Sequence, residues 1–410
     1  MTWKKWSSQE MNQYIDQKLS ENVNFKDEVL LGVPASHLDE RVFSQEDTRL
    51  HNAPFLKTLV ANPNHIGCHT TGNSENFFKG THQIEREVID ICAKDILKGG
   101  NENFDGYIAS GGTEANFQAI WIYRNYFNQF AHCNNDQIAL ICSEDSHYSM
   151  DKAAGILGIS IYKTRVNEDR EITNAFVSET IKQAIHEGKN HFIVVCNMMT
   201  TMFGSVDSID VYLEVLKSEN VPYKIHVDGA YGGFYYPFSN EANDLNFANP
   251  EVNSVTLDAH KMAQAPYGTG IFLIRKNFMK YANTSAASYV EGEDATLIGS
   301  RSGANAIAVW LILNTYGPYG WFEKIFVLQK RTDWLCDALE ELNIRYYRNP
   351  FSNIVTLHAC NSIQEIAKKY HLVPDNHHQV NWHKIVVMDH VNIEKLTPFI
   401  EAIKQKEVVC

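Results

Sequence analysis

The chain has 410 residues, 44% hydrophobic and 21% charged, with 36 Lys and Arg against 49 Asp and Glu for a net charge of -13. This composition excludes a mainly disordered chain. Its acidity argues against non-specific capture of nucleic acid or an anionic membrane, whose phosphates select basic surfaces.

No window approaches the roughly 18 uninterrupted apolar residues of a spanning helix. The first 17 residues lack the apolar core of a signal peptide, so the expected compartment is the cytoplasm. The eight cysteines stand singly, with no CxxC pair, and no disulfide framework is expected. His65, Cys68 and His69 lie close together but have no partner cluster, so no metal site is expected.

Residues 1–55 are polar and mixed, with helical spacing at Met11, Tyr14, Ile15 and Leu19, and read as an N-terminal arm. The pattern then becomes an alternation of helix and strand. Ile84, Val88, Ile89, Ile91, Cys92 and Ile96 predict an amphipathic helix closed by Gly99 and Gly100. Apolar runs of strand length follow at 107–109, 138–142, 192–196, 225–227, 255–257 and 271–274, separated by helical segments such as 114–131 and 174–187. Most suit burial on both faces, as in a mostly parallel sheet. A long helical stretch beyond about 305 leads into a region with its own apolar runs at 354–357 and 385–388. The expected division is an arm at 1–55, a large α/β domain at 56–310 and a smaller α+β domain at 311–410.

Four segments carry chemistry, each just past the end of a predicted strand, where open α/β sheets bind ligands. Ser110-Gly111-Gly112-Thr113-Glu114-Ala115-Asn116 opens a helix, and its glycines and free first-turn N–H groups suit a phosphate. It lacks the lysine of a P-loop and the spacing of GxGxxG. Taken alone, it also reads as an ordinary strand-to-helix turn. In Ser146-His147-Tyr148-Ser149, the imidazole is either a satisfied polar residue or a ring stacked on a ligand. Asp228, in His226-Val227-Asp228-Gly229-Ala230, is either a turn residue or an anion held against a ring nitrogen. Lys261, in Asp258-Ala259-His260-Lys261-Met262, is either a solvated lysine or a desolvated nucleophile able to form a Schiff base. Together, a phosphate cradle, a stacking imidazole, a ring-nitrogen anion and a nucleophilic lysine are what pyridoxal 5'-phosphate (PLP) needs.

These pieces, in this order, resemble the group II PLP-dependent amino-acid decarboxylases and are especially similar to the bacterial PLP-type histidine decarboxylases. The matching runs are 111–116, 146–149, Asn197, Thr200 to Gly204, Asp207, 226–230, 260–262 and Gly299-Ser300-Arg301-Ser302-Gly303. The resemblance implies a fold type I, aspartate aminotransferase-like architecture with a mostly parallel sheet. It also implies a homodimer with active sites at the interface, a small-molecule amino-acid substrate, and release of the amine and carbon dioxide.

Carried over, Lys261 forms the Schiff base, Asp228 pairs with the pyridinium nitrogen, His147 stacks on the ring and Ala230 packs on its other face. Gly112, Thr113 and His260 hold the phosphate with Ser300 of the partner subunit, and Thr200 lies near the phenolic oxygen. Tyr289, on the polar stretch 282–298, and His147 are candidates for the acid that protonates Cα. Met199 stands where related enzymes have Gly, Gly229 stands where many have Ala, and segment 68–80 occupies the substrate-facing place. An aminotransferase or another C–C lyase of the same fold is the alternative. The motif's arginine, Arg301, sits in the piece that suits decarboxylases and related lyases.

Overall fold

The computed structural model describes residues 3–21, 76–284 and 292–406. Its largest element is a seven-stranded sheet made of β1 (Phe104–Ala109), β2 (Ile138–Ser143), β3 (Ser160–Thr164), β4 (His191–Asn197), β5 (Tyr223–Gly229), β6 (Val252–Asp258) and β7 (Gly270–Arg275). The strand order is β1-β7-β6-β5-β4-β2-β3. The ladders from β6 through β5, β4 and β2 to β3 are parallel, and β7 alone runs antiparallel to both its neighbours. The sheet is therefore mostly parallel, as expected.

In five strands every residue is buried except at most one or two near the start, which explains their apolar runs. Ser160 to Thr164 was not anticipated. It is an edge strand whose Ser, Lys and Thr carry no apolar signal.

Helices cover both faces. They are α1 (Ser8–Leu19), α2 (Lys79–Asp90), α3 (Gly112–Phe130), α4 (Ser149–Leu157), α5 (Asn174–His186), α6 (Ile209–Ser218), the short α7 (Tyr236–Ser239), and α8 (Gly303–Glu341). The predicted helix ending at Gly99 is α2 continued by a π-helical turn at Ile91–Ile96. In α1 the Ser7–Glu10 capping box fixes the start, and Met11 and Ile15 are buried against the large core. Tyr14 stacks on Trp310 at 5.1 Å, and Trp6 N–H donates to Asn314 O at 2.8 Å. The described part of the arm thus packs on this chain's own helices.

α8 is interrupted at Gly317, whose φ of 62° precedes Pro318. A Cβ at this position would lie 2.7 Å from Lys5 N, so the arm crosses where only glycine fits. The first half of α8 packs in the large core through Ile307, Trp310 and Trp321. Its last turns pack in a second core through Leu335 and Leu339. The expected division at 310/311 falls inside this helix.

The second core backs an antiparallel sheet of order β10-β11-β9-β8, formed by β8 (Tyr346–Tyr347), β9 (Ile354–His358), β10 (Val373–Pro374) and β11 (Trp382–Val386). It carries α9 (Asn361–Lys369) and α10 (Ile393–Gln405). β11 lies earlier than the apolar run 385–388 suggested. Its pairing with β9 ends at Val386, and Val387 N–H turns to Asn353 O. No described helix is long and apolar enough to cross a membrane. Among the described residues Cys92, Cys133, Cys142, Cys196 and Cys336 are free and buried, while Cys360 is disulfide-bonded.

Candidate active site

The C-terminal ends of β2, β4, β5 and β6 and the N-terminus of α3 enclose one cavity of about 340 Å³. Gly112, Thr113, His147, Thr200, Asp228, Ala230, His260 and Lys261 all line it. Eight positions chosen from separate motifs along 150 residues of chain converge there. Ser300 is exposed and does not line the cavity of its own chain. Tyr289, His65, Cys68, His69 and most of segment 68–80 lie outside the described residues. Among the described residues no cluster of three or more His, Cys, Asp or Glu is placed to hold a metal ion.

Asp228 sits at the end of β5, buried. Its Oδ2 accepts from Asn116 Nδ2 at 2.8 Å and its Oδ1 from Ala230 N–H at 3.1 Å. A carboxylate held by two donors faces the cavity as a fixed anion. His147 Nδ1 accepts from Ser149 N–H at 3.2 Å and lies 2.9 Å from Ser149 Oγ. Burial pulls the His147 imidazole below its usual pKa, with Asp228 opposing and Lys261 and Lys152 reinforcing the shift, so a neutral ring is favoured.

Lys261 follows β6 in a tight turn, its N–H donating to Asp258 O at 3.1 Å. Its Nζ lies 3.7 Å from Asp258 Oδ2. Nδ1 of His260 lies 2.7 Å from Asp258 Oδ1 without hydrogen-bonding geometry, and its ring stacks on Tyr267 at 4.5 Å. Asp258 also accepts from Gly112 N–H at 3.1 Å, and burial raises its pKa. Asp258 therefore joins the cradle, the histidine and the lysine. Only its place at a strand end signalled it in the sequence.

The cradle is built by close approach. α3 begins at Gly112 with no cap from the preceding residue, and with Asp258 on the Gly112 N–H the next N–H groups of the first turn are left for an anion. The acidic residue of that turn, Glu114, points inward and accepts from Tyr107 OH and Ser110 N–H. A Cβ on Gly112 would come within 3.0 Å of Ala230 Cβ, and one on Gly270 within 2.4 Å of the Gly111 carbonyl carbon. On the opposite wall Thr200 Oγ1 and Ser205 Oγ lie 2.7 Å apart, closing a turn. Below it, burial raises Asp207 to about 7 while Asn197 donates to it from backbone and side chain. Lys384 of β11 donates to Thr201 O at 2.8 Å, a tie from the smaller sheet that no motif announced.

Arg301 does not reach the cavity. It donates to Glu85 in a buried pair and lies with its guanidinium 4.9 Å from the Tyr107 ring centre. Among the described residues no arginine lines the cavity, so the firm carboxylate anchor of an aminotransferase is not supplied from there.

A planar pyridine phosphate fits this donor set, with a small-residue cradle at a helix N-terminus, a fixed anion, a neutral imidazole and a lysine amine about one cavity. Residues 81–343 match the family described as the pyridoxal-dependent decarboxylase conserved domain. The chain belongs to that family. It is 47% identical over 400 residues to a tryptophan decarboxylase of Clostridium sporogenes, covering 97% of this chain and 96% of that one. A probable L-tyrosine/L-aspartate decarboxylase of Methanococcus maripaludis is 28% identical, with 88% and 96% covered. In fold the chain is similar to the L-methionine decarboxylase of Streptomyces sp. 590, with TM-score 0.71, 19% identity, and 96% and 93% of the two chains covered. It is likewise similar to a Lactobacillus brevis glutamate decarboxylase, with TM-score 0.69, 17% identity, and 98% and 92% covered. This decarboxylase is a PLP-dependent amino-acid carboxy-lyase of fold type I. Both the family and the cofactor are as the ordered motifs implied.

Proposed function

We propose that this enzyme decarboxylates an aromatic L-amino acid, tryptophan foremost, as a homodimer. The observation that carries the reading is the 47% identity, over nearly the whole length of both chains, to a tryptophan decarboxylase. The cavity wall supports it. Met199, Tyr231, Tyr148 and Tyr267 offer apolar and aromatic surface, which suits an indole better than a second charged group.

Bound PLP supplies a protonated pyridinium ring that takes up the electron pair left at Cα when carbon dioxide departs. Lys261 Nζ would provide the amine that holds the cofactor through a Schiff base. Asp228, oriented by Asn116 and the Ala230 N–H, holds a proton at the ring nitrogen. His147 and Ala230 line the cavity and would flank the cofactor ring. Gly112, Thr113 and His260 hold the phosphate, with Ser300 of the partner subunit completing the cradle. Thr200 stands by the phenolic oxygen. Tyr289 or the His147 imidazole delivers the proton to Cα. Buried Met199 places an apolar side chain on the wall beside the reacting atoms.

Ser300's exposure, beside the exposed apolar side chains of Leu297 and Ile298, supports its donation to a second copy. The test is a panel of the twenty amino acids incubated with PLP-loaded enzyme, scored for carbon dioxide and for keto acid. Tryptophan should lead in carbon dioxide release with negligible keto acid. A keto-acid product would replace the reading with an aminotransferase, and a charged substrate leading the panel would overturn the aromatic assignment.

A further inference from the structure

Behind the cavity lies a buried polar chain that none of the four motif readings predicted. Asn116, in the second turn of α3, is 1% exposed. Its amide is fully used. Nδ2 donates to Asp228 Oδ2 at 2.8 Å and to Ser149 Oγ at 3.1 Å, and Oδ1 lies 3.0 Å from His226 Nε2. Both amide hydrogens point at oxygen acceptors and Oδ1 can only accept, so His226 carries its proton on Nε2, which Thr256 Oγ1 also faces at 3.2 Å. The other His226 nitrogen, Nδ1, then accepts from Ser254 Oγ at 2.7 Å, and Ser254 in turn accepts from Tyr123 OH. His226 is fully buried, and burial drops its pKa to about 4, so it stays neutral and keeps this polarity.

The other end is equally directed. The Ser149 backbone N–H is a donor in any state, so His147 Nδ1 is an acceptor and the ring's proton sits on Nε2. Ser149 Oγ receives its hydrogen bond from Asn116 and turns its own hydrogen to the same Nδ1.

We infer that Asn116 is the shared positioning residue of the site, one N–H fixing the Asp228 carboxylate and the other orienting the Ser149 hydroxyl that, beside the Ser149 backbone N–H, donates to His147 Nδ1. The inference rests on the roles proposed for Asp228 and His147 and adds a residue of the cavity wall that acts through them. The charged groups around the two ends are Asp258 and Asp207 near Asp228, and Asp228, Lys261 and Lys152 near His147. None of them supplies the donor that Asn116 gives.

The experiment compares the parent enzyme with Asn116→Ala and Asn116→Ser in two ways. The first readout is the pH titration of the visible band of PLP-loaded protein, together with the PLP dissociation constant. The second is the His147 titration in cofactor-free, 15N-histidine-labelled protein, its signal assigned by loss in His147→Gln. Asn116→Ala should weaken PLP binding about tenfold and move the band's titration by about one pH unit. It should also raise the His147 pKa, because a freed Ser149 hydroxyl no longer has to donate to Nδ1. Asn116→Ser, which keeps a hydroxyl donor, should fall between, and it carries the same readouts if the alanine variant does not fold. Parent-like values in both readouts would overturn the inference. A parent that binds no PLP would overturn the proposed function instead, while the labelled-histidine comparison still decides the role of Asn116.

Discussion

Arg301 and Glu85 form a buried ion pair under β1, with both guanidinium Nη atoms donating to the carboxylate and both residues almost fully enclosed. Glu85 Oε1 also accepts the Ile108 N–H at 2.7 Å, so the pair anchors the strand that leads to the phosphate cradle. Removing one partner leaves an uncompensated buried charge, which typically costs about 3–5 kcal/mol. Glu85→Leu and Arg301→Met should each lower unfolding stability by that order in urea titrations. The double variant should lose clearly less than the sum of the two, because no charge remains buried alone. Because the pair is turned away from the cavity, Arg301→Met should leave the ratio of carbon dioxide to keto acid unchanged. A rise in keto acid would mean that the arginine governs the reaction after all.

For Asp228 the expected effect is on rate. An ion pair that raises the ring-nitrogen pKa by roughly 2–3 units is worth about 3–4 kcal/mol, or a factor of about 10²–10³. Asp228→Ala should lose kcat by that factor in a carbon dioxide assay while its far-UV circular dichroism stays native. Lys261→Ala should abolish the visible band of PLP-supplied protein. An Asp228→Ala enzyme with full turnover would deny the carboxylate its role.

Met199 is buried with a φ of 68°, a backbone region unfavourable to any side chain, and it lines the cavity. Truncating it removes packing, while glycine also relieves the backbone. Met199→Gly should therefore be less destabilising than Met199→Ala by about 1 kcal/mol, measured as a difference in denaturation free energy. Both variants enlarge the substrate wall, so discrimination between tryptophan and smaller amino acids should narrow in competitive assays. Equal stability of the two variants would show that the left-handed backbone carries no strain.

The strand set and site were legible where burial leaves one chemical option. The runs at 138–142, 192–196 and 255–257 are strands because both faces are enclosed, and Asp228 at the end of its strand and Lys261 and His147 just beyond theirs are polar groups where open α/β sheets bind ligands. Segments with mixed character were not legible. Ser160 to Thr164 looks like loop because one edge is solvated, and the apolar run at 385–388 misplaced β11 because pairing with β9, not hydropathy, ends that strand. Asn116 and Asp258 were quoted inside motifs without roles. Their partners, His226 and Ser149 for one and Gly112 and Lys261 for the other, become neighbours only after folding. Glu85 was hidden for the same reason, since its partner lies 216 positions away.

His226 turns burial into a pH dependence. Its pKa is about 6.5 when unfolded and about 4 in the folded protein, where desolvation penalises the charged ring. Between these values the unfolded chain binds a proton that the folded chain does not. Stability contributed by this group is therefore complete above pH 6.5 and is lost as pH falls towards 4, by on the order of 3 kcal/mol. Asp207 acts in the opposite sense. Its folded pKa is raised to about 7, so its charged form is penalised and stability falls as pH climbs from about 4 to 7. The parent's profile across this range mixes the two slopes, and only a difference isolates either one. His226→Gln, which keeps an amide donor for Asn116 but cannot titrate, should lose stability relative to the parent at pH 7. That deficit should shrink steadily as the pH falls to 5 in matched urea titrations. A deficit constant across that range would show that His226 titrates alike in the folded and unfolded chains, and would remove the basis for its fixed polarity behind Asn116.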